Sequence, residues 1–478
     1  MITLSKTTRS TSGKDTLVLL SEPAQLKHID LERADRAHVQ RQLDEGADVA
    51  VCEAGGRLVI AHRVKEAARP KQLELARRAG NQANERLNAA RIEDAQLIDL
   101  VDHADLALAC AEGLALGAYA FRKYKSGEKG APSLKKLTVI APGVSAKALQ
   151  EVSDLCDAVH TARDLVNEPV SFLTAPQFSA EIKNLGRSTG FSVQVLEKRQ
   201  IEALGMGGLL AVNKGSVDPP TFNVLEWKPK GAVNKAPLLL VGKGVVYDTG
   251  GLSLKPTPNS MDYMKCDMAG GAAVAAALAA IAQQELPIHV VGLIPATDNR
   301  PGGNAYAPGD VIRMHNGSTM EMVNADAEGR IILADALSYG ERYKPELVMS
   351  IATLTGAAAR AIGTHGVVAM GTADEKQFTR LGAAGDQVHE RIARMPFWEE
   401  YDAEIESDIA DVKNLGGEYA GHITAGKFLA RFTTRPFIHL DIAGPSFLNK
   451  RDHYRTKGGT GVGVRLFYEF IKRRATAR

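Results

Sequence analysis

The chain has few cysteines, few aromatic residues and almost no net charge. Its 478 residues include four cysteines without a C-x-x-C pair, 5% aromatics, and 58 Lys plus Arg against 56 Asp plus Glu, a net charge of +2. These numbers argue against a disulfide framework and a thiolate zinc site. They also give no broad electrostatic field for a nucleic acid or a membrane surface.

Membrane and export signals are also missing from the sequence. The first 16 residues lack the apolar stretch of a signal peptide. The longest apolar run, residues 268–282, is shorter than the ~20 residues of a membrane span. The twelve histidines form no H-x-x-x-H pair. We therefore expect a cytoplasmic protein with no membrane partner.

What the sequence does have is length and 45 glycines. At roughly 100–200 residues per domain, two or three domains are expected. Strand and helix patterns alternate in the first third, and the pattern breaks near a proline at residue 169. We expect a junction between residues 155 and 170, with an α/β domain at 1–160 and a larger α/β domain at 161–478.

The larger domain contains apolar strands without polar alternation, at residues 237–242, 288–295 and 347–354. Such strands need both faces covered, which predicts a mostly parallel central sheet covered by helices. An Ala-rich helix from Met268 onward has no polar face and should lie inside these layers. Sites in open α/β sheets lie at the carboxyl ends of strands.

Three glycine-bearing segments occupy such positions, namely residues 241–251, 264–271 and 324–330. The sequence GKG in the first segment invites a phosphate-binding interpretation. The P-loop pattern and a G-x-G-x-x-G after a strand are both missing, so phosphate binding is not favoured.

The same segments carry four acids: Asp248, Asp267, Asp326 and Glu328. Each alone could be a turn residue or a helix cap. Together they resemble hard oxygen ligands, and their four negative charges would be neutralised by two divalent cations. Pairs of metal ions that lie ~3.5–4 Å apart recur in aminopeptidases, phosphatases and nucleases.

Two basic residues accompany the acids. Lys255 and Arg330 suit the stabilisation of an oxyanion formed by attack on a carbonyl. The alternatives are a structural ion pair for Arg330 and a solvent-exposed loop position for Lys255.

The second domain carries, in this order within residues 163 to 465, the motifs VGKGVVYDTGGLSLK, MKCDMAGG, PGGNAYAPGDVI, NADAEGRIILADAL and ATLTGA. Together these motifs resemble the leucyl aminopeptidase family of cytosolic two-metal exopeptidases. Ala325 stands where the family's NTDAEGR motif has threonine. The resemblance implies a macro-like N-terminal α/β domain with a regulatory or oligomerisation role, a C-terminal peptidase domain, and a homohexamer built as a dimer of trimers.

The resemblance also implies two metal sites. The tighter metal would be held by Lys243, through a neutral amine, together with Asp248, Asp267 and Glu328. The more exchangeable metal would be held by Asp248, Asp326 and Glu328, with a backbone carbonyl from Asp326. Zinc or manganese is the expected ion, with magnesium and cobalt as alternatives.

Substrate handling follows from the same resemblance. Lys255 would polarise the scissile carbonyl, and Arg330 would hold a bicarbonate that acts as general base. Met264, Thr353 and Gly356 would line the pocket for an apolar, leucine-like first residue of small peptide substrates.

Two features leave alternatives open. The loop between Lys255 and Asp267 is one residue longer than usual for the family, and it contains a rival acid, Asp262, which we interpret as a loop residue. A DNA-binding accessory protein is the second hypothesis. Its main support in the sequence is the basic loop at residues 119–136. A two-metal phosphatase is a third and weaker one.

Overall fold

The computed structural model describes residues 2–127 and 130–476. It divides into two compact units, Met1–His160 with Lys450–Lys457, and Thr161–Asn449 with Gly458–Arg478. The segment Lys450–Lys457, which lies within the predicted second domain, thus clusters with the first unit. Residues 128 and 129 of the predicted basic loop lie outside the described residues.

The first unit is built on one mixed sheet. Its strands are β1 (Thr3–Lys6), β2 (Thr16–Leu20), β3 (Val49–Ala54), β4 (Arg57–Arg63), β5 (Asp94–Asp99) and β6 (Lys136–Ile140), in the order β1-β6-β5-β2-β4-β3. Its helices are α1 (Arg33–Asp44), α2 (Arg69–Ala89) and α3 (Ala104–Gly117), while α4 (Ala146–Asn167) continues into the second unit. The strands pair in parallel except β3 with β4.

Small residues let two helices of this unit approach closely. A Cβ on Gly80 would lie 1.9 Å from the carbonyl oxygen of Cys110, and one on Gly113 would lie 2.0 Å from that of Arg77. The α2 and α3 backbones are therefore in direct contact at these glycines. Helix α3 is buried along most of its length, and α2 buries polar side chains such as Arg77 and Asn81 beside its apolar ones.

The second unit contains a larger sheet and most of the helices. Its strands are β7 (Ser192–Glu197), β8 (Thr221–Trp227), β9 (Leu238–Gly242), β10 (Gly244–Asp248), β11 (Val290–Asn299), β12 (Val311–Arg313), β13 (Thr319–Glu321), β14 (Leu347–Ala352), β15 (Val367–Gly371), β16 (Ile392–Arg394), β17 (Val412–Lys413), β18 (Phe437–Asp441), β19 (Phe447–Leu448) and β20 (Gly458–Gly459). Its helices are α5 (Ala175–Thr189), α6 (Lys198–Ala203), α7 (Gly207–Asn213), α8 (Ala269–Gln283), α9 (Glu328–Gly340), α10 (Gly356–Ile362), α11 (Glu375–Val388), α12 (Gly421–Ala430) and α13 (Val464–Thr476).

The centre of the larger sheet is parallel, as its apolar strands predict. The order is β16-β15-β18-β14-β9-β11-β8-β7, with β10 paired to β11. Strands β18, β14, β9 and β11 run parallel, and antiparallel pairing occurs at β15, β8 and β7. The α/β class expected for both domains is confirmed.

The Ala-rich helix α8 lies in the core, as its composition predicts. By length and composition, Met261–Gln283 could span a membrane, yet 94% of its apolar window is buried within the protein. That burial is typical of the core helix of a soluble protein. Backbone contact with the sheet is close, because a Cβ on Gly270 would lie 2.1 Å from the carbonyl oxygen of Ile351.

Gly270→Ala should therefore destabilise the second unit. The added methyl meets rigid backbone of β14, and overpacking of this kind costs about 1–3 kcal/mol. Gly382→Ala in α11 is the matched control, since a Cβ there meets nothing within 4 Å. A solvent-facing helical Gly→Ala change should stabilise by about 0.5–1 kcal/mol. Urea unfolding of both variants tests this; equal stabilities would contradict the close packing.

A buried histidine in the same sheet predicts a loss of stability in acid. His439 in β18 is fully buried, its Nδ1 lies 2.8 Å from Ser350 Oγ, and its Nε2 has no hydrogen-bond partner among the described residues. Burial, aided by the charge of Arg330, lowers the pKa of His439 to about 3. The unfolded chain binds a proton at this histidine near pH 6.5, whereas the folded chain keeps it neutral down to about pH 3. The free energy of unfolding therefore falls as the pH drops from about 6.5 towards 3.

His439→Gln removes the imidazole. The slope of the unfolding free energy against pH should therefore decrease by the equivalent of up to one bound proton. Unfolding free energies measured between pH 7 and pH 4 give the slope, and His365→Gln, at an exposed position, is the control. An unchanged slope in His439→Gln would show that the histidine is protonated in the folded state.

Candidate functional site

A polar cleft of 730 Å³ opens at the carboxyl ends of the parallel strands. Lys243 follows β9, Asp248 ends β10, Asn299 ends β11 and Thr353 follows β14. Parallel strands place their terminal residues at one edge of a sheet, which is why residues as far apart in sequence as Lys243 and Thr353 meet here. The ten residues expected to bind metal, act in catalysis or line the substrate pocket all lie in the second unit, and all but Glu328 line this cleft.

Three carboxylates form the centre of the site. One oxygen each from Asp248, Asp326 and Glu328 lies within 4.8 Å of the others. Asp248 and Glu328 are buried at 2% and 1% exposure, whereas the side chain of Asp326 keeps 35% exposure. This is the set expected for the exchangeable metal; its role as a ligand set stays a prediction.

Lys243 connects this centre to Asp267. Its Nζ lies 2.6 Å from Asp267 Oδ2 and 2.8 Å from Glu328 Oε1, and it donates to the carbonyl oxygen of Thr353 at 3.0 Å. Two of the acids expected at the tighter metal, Asp267 and Glu328, thus pair with this one amine. Asp267 does not cap α8, whose N-cap is Met268, so the cap alternative is wrong for this residue.

Lys255 lies on the other side of the carboxylates. Its Nζ is 2.8 Å from Asp248 Oδ2 and also pairs with Asp326 Oδ1. The Lys255 side chain is 13% exposed, so the alternative of a solvent-exposed loop lysine is wrong. Its ammonium group points into the region where the carboxylates converge.

Burial and mutual repulsion perturb the ionisation of these acids. Burial, followed by the charge of Glu328, raises the pKa of Asp248 to about 7. Burial likewise raises the pKa of Asp267 and of Asp326. Burial also opposes ionisation of Glu328, but Lys243 and Lys255 outweigh it and lower the pKa of this carboxyl.

The two lysines respond to the same field. Burial disfavours the charged form of both lysines, but the nearby carboxylates outweigh it. Asp267 contributes most to the raised pKa of Lys243, and Asp248 contributes most to the raised pKa of Lys255. Four carboxylates thus face two ammonium groups, and the negative charge is in excess. Further cations would relieve that excess.

The donor set fits a pair of divalent cations. Glu328 Oε2 is buried and has no hydrogen-bond partner among residues 2–127 and 130–476. An unpaired buried carboxylate oxygen is costly unless a cation or donor completes it. All four acids offer the hard oxygen ligands that such ions take, and the amine of Lys243, if neutral, offers a nitrogen ligand.

Asn299 orients the site, and sequence reasoning did not assign it this role. Its Nδ2 donates to Asp248 Oδ1 at 2.8 Å and to the carbonyl oxygen of Ala325 at 2.9 Å. The hydroxyl of Tyr306 donates to the same carbonyl at 2.9 Å. Asn299 sits at the end of an apolar strand, which was the available signal.

Gly329 is a second residue whose purpose only the structure reveals. A Cβ at this position would lie 2.5 Å from Lys243 Cε and 2.7 Å from its Nζ. The glycine between Glu328 and Arg330 is therefore what gives the lysine amine room beside the carboxylates.

The residues expected to line the substrate pocket lie at one side of the cleft. Met264, Thr353 and Gly356 all contribute to its lining, and Thr353 Oγ1 donates to Asp267 Oδ1 at 2.8 Å. Asp262, the rival acid, is exposed and accepts a hydrogen bond from the backbone of Ser260 at 3.0 Å. Asp262 lies in the short 3-10 helix Met261–Cys266, so its interpretation as a loop residue is wrong, but it is not one of the three clustered carboxylates.

Arg330 is buried at 4% exposure and also lines the cleft. Its Nη1 donates to the carbonyl oxygen of Asn414 at 2.9 Å, while its Nε has no hydrogen-bond partner among the described residues. Burial lowers the pKa of this guanidinium to about 10. Arg330 has no ion-pair partner in the described part of the chain. The alternative of a structural ion pair is therefore wrong for this residue.

The chain is similar to known proteins over most of its length. A family model described as the cytosol aminopeptidase family, catalytic domain, matches residues 160–468. A probable cytosol aminopeptidase of Chlorobaculum tepidum is 46% identical over 385 residues, covering 77% of this chain and 75% of the relative. One of Geotalea uraniireducens is 44% identical over 376 residues, covering 77% and 75%.

Solved structures are similar over nearly the whole chain. The bottromycin maturation enzyme BotP in complex with Mn has a TM-score of 0.85 and 30% identity, covering 97% of this chain and all 100% of that one. A tomato leucine aminopeptidase mutant has a TM-score of 0.86 and 25% identity, covering 99% and 97%.

The geometry predicts that metal binding depends on Glu328. Glu328→Gln keeps the shape but removes a charge from the centre of the carboxylate set, so Mn²⁺ affinity should fall at least tenfold. Asp262→Asn removes an equal charge from an exposed position in the 3-10 helix Met261–Cys266 and should bind Mn²⁺ as the parent does. Isothermal titration with Mn²⁺ measures both; equal affinities for the two variants would contradict the assignment.

Proposed function

Since the chain belongs to the cytosol aminopeptidase family and is a metal-dependent aminopeptidase, we propose that it removes single N-terminal residues from small peptides in the strand-end cleft. The observation that carries this proposal is the cluster of Asp248, Asp326 and Glu328 with one unpaired buried oxygen. Apolar, leucine-like first residues are the proposed substrates.

We propose the ligand sets that the family resemblance implies. Lys243, Asp248, Asp267 and Glu328 would hold one ion, and Asp248, Asp326 and Glu328 the other. When bound, the ions supply Lewis acidity and a water molecule activated for attack on the peptide carbonyl. The bound state of the solved BotP favours manganese, and zinc is the alternative.

Lys255 is the residue we propose to act on the scissile carbonyl. Its ammonium group is held over the carboxylates by Asp248 and Asp326. A fixed positive charge next to the developing oxyanion lowers the energy of the tetrahedral intermediate, because it needs no reorganisation during the reaction.

Arg330 is the proposed holder of a bicarbonate that serves as general base. This proposal is supported by the position of Arg330 in the cleft lining and by its buried Nε, which has no hydrogen-bond partner among the described residues. A planar guanidinium can bind a planar oxyanion through two parallel hydrogen bonds. The base would take the proton of the attacking water and pass it to the leaving amine.

The pocket for the first side chain is proposed to lie along Met264, Thr353 and Gly356. Thr353 is tied to Asp267 and to Lys243, so this wall is fixed relative to the carboxylates. Met264 offers an adaptable apolar surface that suits leucine-like side chains.

The cellular setting is proposed from the relatives. Their printed names describe cytosol aminopeptidases, and a cytoplasmic location is proposed here accordingly. A hexamer made of two trimers is the proposed assembly. The DNA-binding alternative receives no support from the comparisons.

Hydrolysis of leucyl-p-nitroanilide should require divalent metal, stop with a chelator and return with Mn²⁺. Glu328→Gln should lower kcat/KM at least a hundredfold while its circular dichroism and unfolding midpoint stay close to the parent's. Acetylation of the substrate amine should abolish cleavage, because an exopeptidase of this kind needs a free amine at the metal.

Asp262→Asn is the matched control and should retain parent activity. If metal-loaded, folded protein leaves every apolar-leading substrate intact, the catalytic proposal fails. Near-parent turnover by Glu328→Gln would remove Glu328 from the machinery.

A further inference from the structure

One cationic side chain in the cleft belongs to neither the proposed ligand sets nor the proposed catalytic pair. Arg360, in α10, contributes to the cleft lining together with Gly356 and Thr353. Outside the ligand and catalytic residues, the cleft's other charged residue is Glu418, on the segment before α12.

Arg360 lies directly beside the wall proposed for the first side chain. A Cβ built on Gly356 would be 3.3 Å from Arg360 Nη1 and 4.0 Å from its Cζ. Residues 356 and 360 are four apart on α10, so their side chains share one helix face. The absence of a side chain at Gly356 leaves the guanidinium uncovered towards the cleft.

No described residue neutralises this guanidinium. Within residues 2–127 and 130–476, Arg360 has no ion pair or hydrogen bond through its side chain, and Glu418 forms no ion pair with it. The side chain is exposed, so a ligand can reach it. A cation in a recess that a substrate fills selects for a carboxylate, because the pair is desolvated when the substrate binds.

We propose that Arg360 is a specificity residue that binds the side-chain carboxylate of a glutamate or aspartate at the first position of the peptide. The inference rests on the proposed function and extends its substrate range from leucine-like residues to acidic ones. Apolar side chains remain substrates, since an exposed arginine can turn towards solvent when no carboxylate is present.

The first side chain is favoured over the peptide's C-terminal carboxylate by position. Thr353, three residues before Gly356, is hydrogen-bonded to Asp267 and to Lys243. This wall therefore belongs to the end of the cleft where the proposed metals hold the substrate's first residue. The far end of a peptide leads away from it.

The test compares substrates that differ only in charge. With metal-loaded protein, kcat/KM is measured for glutamyl-, glutaminyl- and leucyl-p-nitroanilide. Arg360→Gln should lower the ratio of glutamyl to glutaminyl kcat/KM about five- to tenfold. This is the effect expected when an ion pair that is partly desolvated is lost. Leucyl turnover should change less than twofold. Arg360→Glu should favour lysyl- over glutamyl-p-nitroanilide.

Arg380→Gln is the matched control, because Arg380 is also exposed but lines a different cleft. It should leave every ratio unchanged. An unaltered glutamyl-to-glutaminyl ratio in Arg360→Gln, with leucyl turnover intact, overturns this inference alone. Absence of leucyl turnover in the parent overturns the proposed function and the inference with it.

A second arm tests the other source of a carboxylate. Leucyl-leucine and its C-terminal amide are compared in the parent and in Arg360→Gln. The proposal expects the same acid-to-amide ratio in both proteins. A fall in that ratio, with the glutamyl ratio unchanged, would assign Arg360 to the C-terminal carboxylate and overturn the proposal.

Discussion

Repulsion between buried carboxylates is the constraint on which the site depends. Asp248, Asp267 and Glu328 are each at most 3% exposed, and burial strongly disfavours their charged forms unless positive charge lies close by. Lys243 and Lys255 supply part of that charge through direct ion pairs. The fold therefore leaves an excess of negative charge in this cleft, which divalent cations would neutralise.

Holding such charges together requires backbone to come unusually close, and the glycines provide this. Gly329 gives the Lys243 amine its space, and Gly270 lets α8 touch the carbonyl of Ile351. A side chain at position 329 would displace the Lys243 amine, and one at position 270 would meet the backbone of β14. The abundance of glycine in the sequence thus serves the geometry of the cleft in this unit.

Much of the fold and site could be predicted because their signals are local. Apolar strands identify the parallel sheet, Asp248 marks a strand end, and the motifs that resemble the family identify the other acids of the cleft. The partners of Asn299 and the clearance at Gly329 could not be predicted, since each depends on segments that meet only after folding. The grouping of Lys450–Lys457 with the first unit is of the same kind, because no change in sequence pattern marks it.

Ala325 shows how the site tolerates a departure from the family's motif. Its side chain is fully buried among apolar residues, where a hydroxyl would need a partner. Its main chain makes the polar contacts instead, accepting hydrogen bonds from Asn299 and Tyr306 and donating one to Ser253 Oγ. Because the backbone at this position fixes the neighbouring Asp326, the loss of a side-chain hydroxyl leaves the carboxylate cluster in place.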